Sequence, residues 1–158
     1  MGEPKVLLVD DEVDFIETLS KRLEMRALKT VTAFSGEEAV SFAQEKMPDV
    51  IVLDLRMQGM DGMEVLRQTR LAHPDMQVIM LTAHGTDKDK EEAEKLGAFD
   101  FLNKPVEIEV LLDKIEAAYK KKLEITMSAI SFLEKGKTEV TRRVLKEKEK
   151  RIFNQGGL

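Results

Sequence analysis

The chain of 158 residues contains no cysteine. That absence excludes a disulfide framework and any metal site ligated by thiolates. The sequence also lacks an apolar run long enough to cross a membrane, and its first residues, MGEPKVLL, do not follow the charged-then-apolar order of a secretory signal. We therefore expect a soluble protein of the cytoplasm with no membrane partner. Its length suits one domain with an appendage.

Charge is distributed unevenly along the chain. The formal net charge is −5, but residues 1–118 carry −11 and residues 119–158 carry +6. Such a shift in composition indicates a boundary between two segments. We predict an acidic domain over residues 1–120 and a basic helical extension over residues 121–158. The extension carries no ATPase motif and is too short for a convincing independent DNA-binding domain.

Short apolar runs alternate with stretches in which apolar residues recur every three or four positions. The runs predict strands at residues 6–10, 30–34, 50–54, 78–82 and 98–102. The stretches between them have the period of amphipathic helices. Five such β-α units favour an α/β fold, with a parallel sheet, helices on both faces and right-handed crossovers.

Local signals predict where two of the helices begin and end. Ser35 and Glu38 have the spacing of a capping box, which opens the second helix. Thr86 and Asp89 can cap the fourth helix, and Gly97 is placed to end it.

Polar side chains follow four of the five predicted strands. The first strand ends in Asp10 and Asp11, the third in Asp54 and the fourth in Thr82, and Lys104 follows the fifth. Each residue alone is a common cap or turn residue. Ligands of open α/β sheets, however, bind beyond the carboxyl ends of the strands. The joint pattern therefore predicts one site that contains three carboxylates, a hydroxyl and an ammonium group.

The donor set of this predicted site indicates its chemistry. Three carboxylates without histidine or cysteine suit a hard divalent cation such as Mg²⁺, which would offset their mutual repulsion. Metal, ammonium and hydroxyl groups together would hold the oxygens of a phosphoryl group. A carboxylate can itself be the nucleophile and become an aspartyl-phosphate.

Four longer motifs extend this pattern, and together they resemble the receiver domain of two-component response regulators. They are LLVDDE (7–12), VLDLRMQGMDGMEVL (52–66), MLTAHG (80–85) and GAFDFLNKP (97–105). The resemblance covers roughly residues 4 to 120. It implies a flavodoxin-like, doubly wound sheet with strand order 2-1-3-4-5. It also implies that a sensor histidine kinase transfers a phosphoryl group to Asp54. Such a domain is a signalling module rather than an enzyme, because it catalyses only its own phosphorylation and dephosphorylation.

The resemblance implies a metal site and a tuning position near Asp54. Mg²⁺ would be held by Asp11, Asp54 and the backbone carbonyl of Arg56, with Asp10 acting through water. The side chain of Arg56 occupies one of the two positions that tune the lifetime of the phosphoryl group in this family.

The resemblance also implies roles for residues near the fourth and fifth strands. Thr82 is the phosphoryl-sensing hydroxyl, Lys104 the phosphoryl-binding ammonium and Phe101 the aromatic switch. His84 occupies the second rate-tuning position. The peptide bond before Pro105 is expected to be cis.

The two alternatives are a phosphatase and a flavin-binding flavodoxin. A flavodoxin would need a phosphate loop rich in serine, threonine and glycine after the first strand, where this chain has DDEVDF. A phosphatase of the haloacid-dehalogenase type needs Asp-x-Asp on its nucleophile strand and a cap domain, but here Arg56 is the second residue after Asp54. A P-loop enzyme needs the motif G-x-x-x-x-G-K-[ST], which is absent. Acetyl phosphate with Mg²⁺ distinguishes the classes, because a receiver accumulates an acyl phosphate and a phosphatase turns substrate over.

The end of the chain continues an apolar pattern at helical spacing. It includes Leu112, Ile115, Tyr119, Leu123, Met127, Ile130 and Leu133. Gly136 either ends this helix or only weakens it, and Val140, Val144 and Ile152 indicate a second helical stretch.

Three outputs remain open for this C-terminal segment. The preferred one is dimerisation or partner docking, through the C-terminal helix or through the face of the fourth helix, fifth strand and fifth helix. A solvated helix is the second. Nucleic-acid binding is the least favoured, because no aromatic residues are interleaved with the basic ones. Those basic residues are Arg142, Arg143, Lys146, Lys148, Lys150 and Arg151.

Overall fold

The computed structural model describes residues 2–155, with side chains described as far as residue 150. Within this range strands and helices alternate strictly, as the pattern of apolar runs predicts. The elements are β1 (Val6–Val9), α1 (Val13–Glu24), β2 (Thr30–Ala33), α2 (Gly36–Lys46), β3 (Val50–Leu53), α3 (Gly62–Ala72), β4 (Gln77–Thr82), α4 (Asp87–Lys95), β5 (Asp100–Asn103) and α5 (Ile108–Gln155).

The five strands form one parallel sheet in the order β2-β1-β3-β4-β5. This confirms the doubly wound architecture and the strand order. In the register of the sheet, Val9 pairs with both Ala33 and Leu53. The last residues of β1 and β3 are therefore neighbours, and whatever follows them starts from the same edge.

Apolar layers cover both faces of the sheet, which explains why the strands read as nearly continuous apolar runs. Leu7 and Val9 belong to one buried cluster, which is closed by residues of α2, α3 and α4. Val6 and Leu8 belong to the other, which is closed by residues of α1 and α5. Alternate residues of one strand therefore stabilise opposite layers. Burying one such side chain contributes roughly 1.5–3 kcal/mol.

Several strand boundaries differ from those predicted. The predicted strands at 6–10, 30–34 and 50–54 each end one residue earlier in the structure. The predicted strand at 98–102 lies at Asp100–Asn103, because the N–H of Ala98 still donates to the carbonyl of Ala93 at 2.9 Å and closes the end of α4. Each strand ends where the chain turns away from the sheet, and the apolar content of a run does not show where that turn lies.

The helix caps are partly as predicted. Thr86 and Asp89 form a complete capping box at the start of α4, and Gly97 follows that helix with a φ of 93°. Ser35 accepts the N–H of Glu38 at 3.1 Å. The reciprocal bond from Glu38 is missing from the described residues, so the predicted capping box is only half formed.

The C-terminal segment is one helix and not two. Helix α5 runs from Ile108 to Gln155 without a break at Gly136, which corrects the expectation of a second helical stretch. A glycine costs a helix interior about 1 kcal/mol, too little to end a long helix. The first compact unit ends at Lys122 and a second begins at Leu123. None of the described helices is both long and apolar enough to span a membrane.

Candidate functional site

Three carboxylates meet at the carboxyl edge of the sheet. Asp10 and Asp11 follow β1, and Asp54 follows β3, the strand paired with it. Ligand oxygens from the three side chains lie within 4.8 Å of one another. Asp10 and Asp54 are buried, with 1% and 7% of their surface exposed, whereas Asp11 is exposed. The predicted cluster is therefore two buried carboxylates with a third on the solvent side.

Lys104 neutralises part of this buried negative charge. Its Nζ lies 2.6 Å from Oδ2 of Asp10 and 4.0 Å from Oδ1 of Asp54. The ammonium also lies 4.0 Å from the centre of the Phe15 ring, in cation-π geometry. In the sequence, Phe15 is only one of the apolar residues at helical spacing after the first strand. In the structure it forms one wall of the site and helps to hold the lysine in place.

Backbone N–H groups orient two of the carboxylates. Oδ1 of Asp10 accepts the N–H of Glu12 at 2.9 Å, and Oδ2 of Asp11 accepts the N–H of Gln58 at 3.2 Å. The second bond joins the loop after β1 to the loop after β3. The two loops that carry the acidic side chains are thus held against each other.

The pKa of Asp54 is raised above its ordinary value of 3.8. Burial is the largest cause, and the negative charge of Asp10 adds to it. The ammonium of Lys104, a hydrogen bond from Thr82 and the N–H of Leu55 oppose the rise without reversing it. A cation at this edge would favour the ionised form, so the donor set and the electrostatics both fit a hard divalent cation.

A backbone hydrogen bond holds Lys104 next to Thr82, the other polar residue on this side of the site. Thr82 is fully buried at the end of β4, and its carbonyl accepts the N–H of Lys104 at 2.9 Å. The Thr82 hydroxyl oxygen accepts the N–H of His84 at 3.3 Å, and the His84 side chain is exposed. The peptide bond between Lys104 and Pro105 is cis.

The ring of Phe101 occupies space that Gly85 leaves open. Phe101 is buried, with 7% of its surface exposed. A Cβ on residue 85 would lie 2.6 Å from two ring atoms of Phe101 and 2.9 Å from the methyl group of Thr82. Only glycine fits there without displacing the threonine or the ring. The motif MLTAHG contains this glycine, but no sequence signal indicates what it accommodates.

A second close contact fixes the backbone of the central aspartate. A Cβ on Gly62 would lie 2.1 Å from the carbonyl oxygen of Asp54. The N–H of Gly62 donates to the carbonyl of Leu55 at 2.8 Å. The first residue of α3 is therefore packed directly against the chain that carries Asp54, a role that sequence reasoning missed.

The side chain of Arg56 forms an ion pair beside the site. Its guanidinium lies 3.1 Å from Oδ2 of Asp89, and 54% of the arginine side chain is exposed. The same Asp89 oxygen accepts the N–H and hydroxyl of Thr86. The pKa of Asp89 is lowered, chiefly by the Thr86 N–H and less by Arg56. Arg56 thus links the loop after β3 to the start of α4.

The structure is thus an α/β domain whose acidic site, bridged by Lys104, lies at the carboxyl ends of β1 and β3. The strand order reverses at this point, which is where open α/β sheets bind ligands. The family model described as response regulator receiver domain matches residues 6–116. A receiver domain from Clostridium thermocellum superposes with a TM-score of 0.74 at 33% identity, covering 77% of this chain and 98% of that one.

Two curated relatives agree with this match. The transcriptional regulatory protein GlrR of Escherichia coli is 39% identical over 113 residues, which are 72% of this chain and 26% of that protein. The heme response regulator HssR of Staphylococcus haemolyticus is 38% identical over 117 residues, 74% of this chain and 52% of that protein. The chain thus spans between a quarter and about half of these relatives.

The chain belongs to the response regulator receiver domain family, and its part in two-component signalling is that of the phosphorelay receiver. The relatives are regulators, so the domain is a signalling domain.

Proposed function

We propose that Asp54 is the phosphoacceptor, and that the chain takes its phosphoryl group from a sensor histidine kinase in a Mg²⁺-dependent reaction. The observation that carries this proposal is the meeting of three carboxylates within 4.8 Å, with the Lys104 ammonium between Asp10 and Asp54. In this role the domain modifies itself and does not act on a separate substrate.

The cation would be held by Asp11, Asp54 and the backbone carbonyl of Arg56, with Asp10 joining through water. Oxygen donors without histidine or cysteine are the set that Mg²⁺ prefers. The bound ion would offset the charge of the carboxylates and of the incoming phosphoryl oxygens.

Transfer needs a nucleophile, a charge partner and a hydroxyl near the phosphorus atom. An Asp54 carboxylate oxygen attacks the phosphorus of the kinase phosphohistidine. The new O–P bond forms as the N–P bond breaks. The electron pair of the N–P bond stays on the imidazole nitrogen, which takes a proton from solvent. Lys104, which reaches both buried carboxylates, would then pair with a phosphoryl oxygen, and the Thr82 hydroxyl would donate to another.

The switch would follow from the same contacts. Movement of Thr82 towards the phosphorylated Asp54 would free the space behind this threonine, and the ring of Phe101, which already lies against Gly85, would shift into it. The face of α4, β5 and α5 would change as a result. Amide chemical shifts with and without a phosphoryl mimic test this step. Changes limited to residues that touch Asp54 would contradict it.

Arg56 and His84 are proposed to tune the lifetime of the phosphoryl group. Both side chains are exposed beside the site. Arg56 is held by Asp89, so release of this ion pair would set how far the guanidinium can reach.

Mass spectrometry after treatment with acetyl phosphate and Mg²⁺ tests the phosphoacceptor. We expect one added phosphoryl group on the wild type, none on Asp54→Asn, and loss of labelling when EDTA removes the cation. Asp113→Asn, which removes an exposed carboxylate on α5, is the matched control and should label like the wild type. Equal labelling of Asp54→Asn and wild type would rule the assignment out. Phosphate release without labelled protein would indicate a phosphatase.

The output is proposed to be binding, either through the face of α4, β5 and α5 or through the part of α5 that begins at Leu123. The second surface is supported by its exposed apolar side chains, which include Met127, Phe132 and Leu133. A second copy of the chain is the simplest partner for such a surface.

A further inference from the structure

Six small or apolar residues lie on one side of the C-terminal part of α5, with a spacing that is the same in both directions. They are Ile125, Ala129, Leu133, Gly136, Val140 and Val144, here named the symmetric stripe. Successive members are four, four, three, four and four residues apart. With about 3.6 residues per turn, all six fall within an arc of about 100°. The midpoint of the stripe lies between Glu134 and Lys135.

The symmetric stripe is exposed to solvent in the single chain. The exposed fractions are 37% for Ile125, 63% for Leu133, 60% for Val140 and 47% for Val144. A Cβ on Gly136 would meet no atom within 4 Å. Apolar side chains at this spacing, with Met127, Ile130, Phe132 and Leu145 also exposed beside them, indicate a surface that another molecule covers.

A separate arc of the same helix, away from the stripe, is polar. At the helical period it presents Glu124, Ser128, Ser131, Lys135, Thr138, Arg142 and Lys146. This polar arc faces water, which leaves the symmetric stripe and the apolar side chains beside it as the surface for contact.

We propose that a second copy of the chain covers the symmetric stripe, with the two helices antiparallel. This inference rests on the output half of the proposed function, in which this segment binds a partner. Two antiparallel copies centred on the midpoint place each member of the stripe opposite another member. The three kinds of facing pair are Ile125 with Val144, Ala129 with Val140, and Leu133 with Gly136.

These facing pairs match large side chains with small ones. Leu133 of each copy meets Gly136 of the other, and Ala129 meets Val140. Such alternation fills the space between two helices without voids. A parallel pair would instead set Gly136 against Gly136 and Leu133 against Leu133, leaving a gap at one level and crowding at the next.

Charge selects the same direction. Residues 123–134 carry a net charge of −2 and residues 135–146 carry +4. Antiparallel pairing brings the acidic half of each copy beside the basic half of the other, whereas parallel pairing brings the two basic halves together. An unrelated acidic partner would satisfy only the basic half, so the symmetry of the stripe and of the charges favours a second copy.

Because the chain has no cysteine, single introduced cysteines can report the direction of pairing in the full-length protein. Ala129→Cys and Val140→Cys lie opposite each other in the antiparallel pair. Two copies of Ala129→Cys alone would be separated by about 16 Å along the helix axis, at 1.5 Å per residue. That distance is beyond the reach of a disulfide bond.

The matched control uses Ser131→Cys with Thr138→Cys. These residues are related by the same midpoint but lie on the polar side of the helix. One member of each pair carries an affinity tag, so mixed and self-linked disulfides differ in mass. Each mixture is oxidised with diamide, and circular dichroism confirms that the helix is retained.

We expect the Ala129→Cys and Val140→Cys mixture to form mixed disulfides severalfold faster than the control mixture, with little self-linked product. Self-linked dimers of each single variant would show parallel pairing and overturn the proposal. A rate equal to that of the control would show that no copy covers the stripe, and would also overturn it. Labelling of Asp54 is measured separately on the same variants, so failure of the phosphoacceptor assignment is distinguishable from failure of the pairing.

Discussion

The compact unit that ends at Lys122 and the helical segment that begins at Leu123 use the same kind of side chain in opposite ways. Leu66 on α3 is completely buried, whereas Leu133 on α5 has 63% of its surface exposed. Both occur at helical spacing in the sequence. The period of a pattern therefore predicts that a helix has an apolar face, but not whether the same chain covers that face.

Charge differs between the two regions in a related way. The body is acidic, and its two buried carboxylates, Asp10 and Asp54, have a specific partner in Lys104. From residue 123 onward the segment is basic, and its described charged side chains are exposed. A buried charge needs a specific partner, so it marks a site, whereas exposed charge chiefly influences which other molecules bind.

The largest expected effect comes from truncating one leucine in each region. Leu66→Ala should lower the free energy of unfolding by about 2–5 kcal/mol, because it removes packed atoms and leaves a cavity. Leu133→Ala should change it by less than about 0.5 kcal/mol in dilute protein, where the stripe is uncovered. Urea unfolding followed by the fluorescence of Tyr119, which packs against the core, measures both. Equal losses would mean that the tail is covered within one chain.

Replacing one glycine in each region by alanine should change stability in opposite directions. Gly62→Ala should destabilise the protein by about 1–3 kcal/mol, because the new Cβ is forced against the backbone of Asp54, and it should also slow labelling by acetyl phosphate. Gly136→Ala should stabilise the C-terminal helix by about 0.5–1 kcal/mol, because its Cβ enters open space. Thermal unfolding by circular dichroism of dilute protein checks both. The comparison fails if the two changes have the same sign.

The smallest effect concerns the pH dependence contributed by Asp54. Because its pKa is raised in the folded protein, protonation of Asp54 adds stability that is fully present below its ordinary pKa. This stability is lost as pH rises through the folded value. At neutral pH without divalent cations, Asp54→Asn should therefore be more stable than the wild type, because the amide carries no charge that burial and Asp10 disfavour. The advantage should shrink as the pH falls.

Thermal melts from acidic to neutral pH in EDTA measure this difference. Asp113→Asn on the exposed side of α5 controls for simple removal of a charge. Added Mg²⁺ should reduce the advantage of Asp54→Asn, because ligand binding stabilises only the wild type. A wild type that is more stable than Asp54→Asn at neutral pH in EDTA would contradict the electrostatic argument.

The sequence alone predicted the alternation of elements and the residues that meet at the candidate site. Strands buried on both faces read as almost uninterrupted apolar runs, so polar residues at their ends are conspicuous. That is why Asp10, Asp54, Thr82 and Lys104 could be named before any geometry was known. The order of the strands came from the resemblance and not from the pattern, because apolar periodicity does not specify which strand pairs with which.

Only the tertiary structure decided the contacts that join distant segments. The partnership of Arg56 with Asp89, the cation-π contact of Lys104 with Phe15, and the space at Gly85 all depend on packing between elements. None of them leaves a local signature, because a side chain's neighbours across a sheet are set by register and crossover geometry.

The C-terminal helix shows the same division. Helical spacing up to Leu133 and again from Val140 is visible in the sequence, but only the structure shows one helix continuing through Gly136. A glycine weakens a helix by a small, fixed amount, whereas the gain from continuing depends on the residues and partners on both sides. Local sequence therefore determined the faces of this protein, and three-dimensional context decided which of those faces one chain covers by itself.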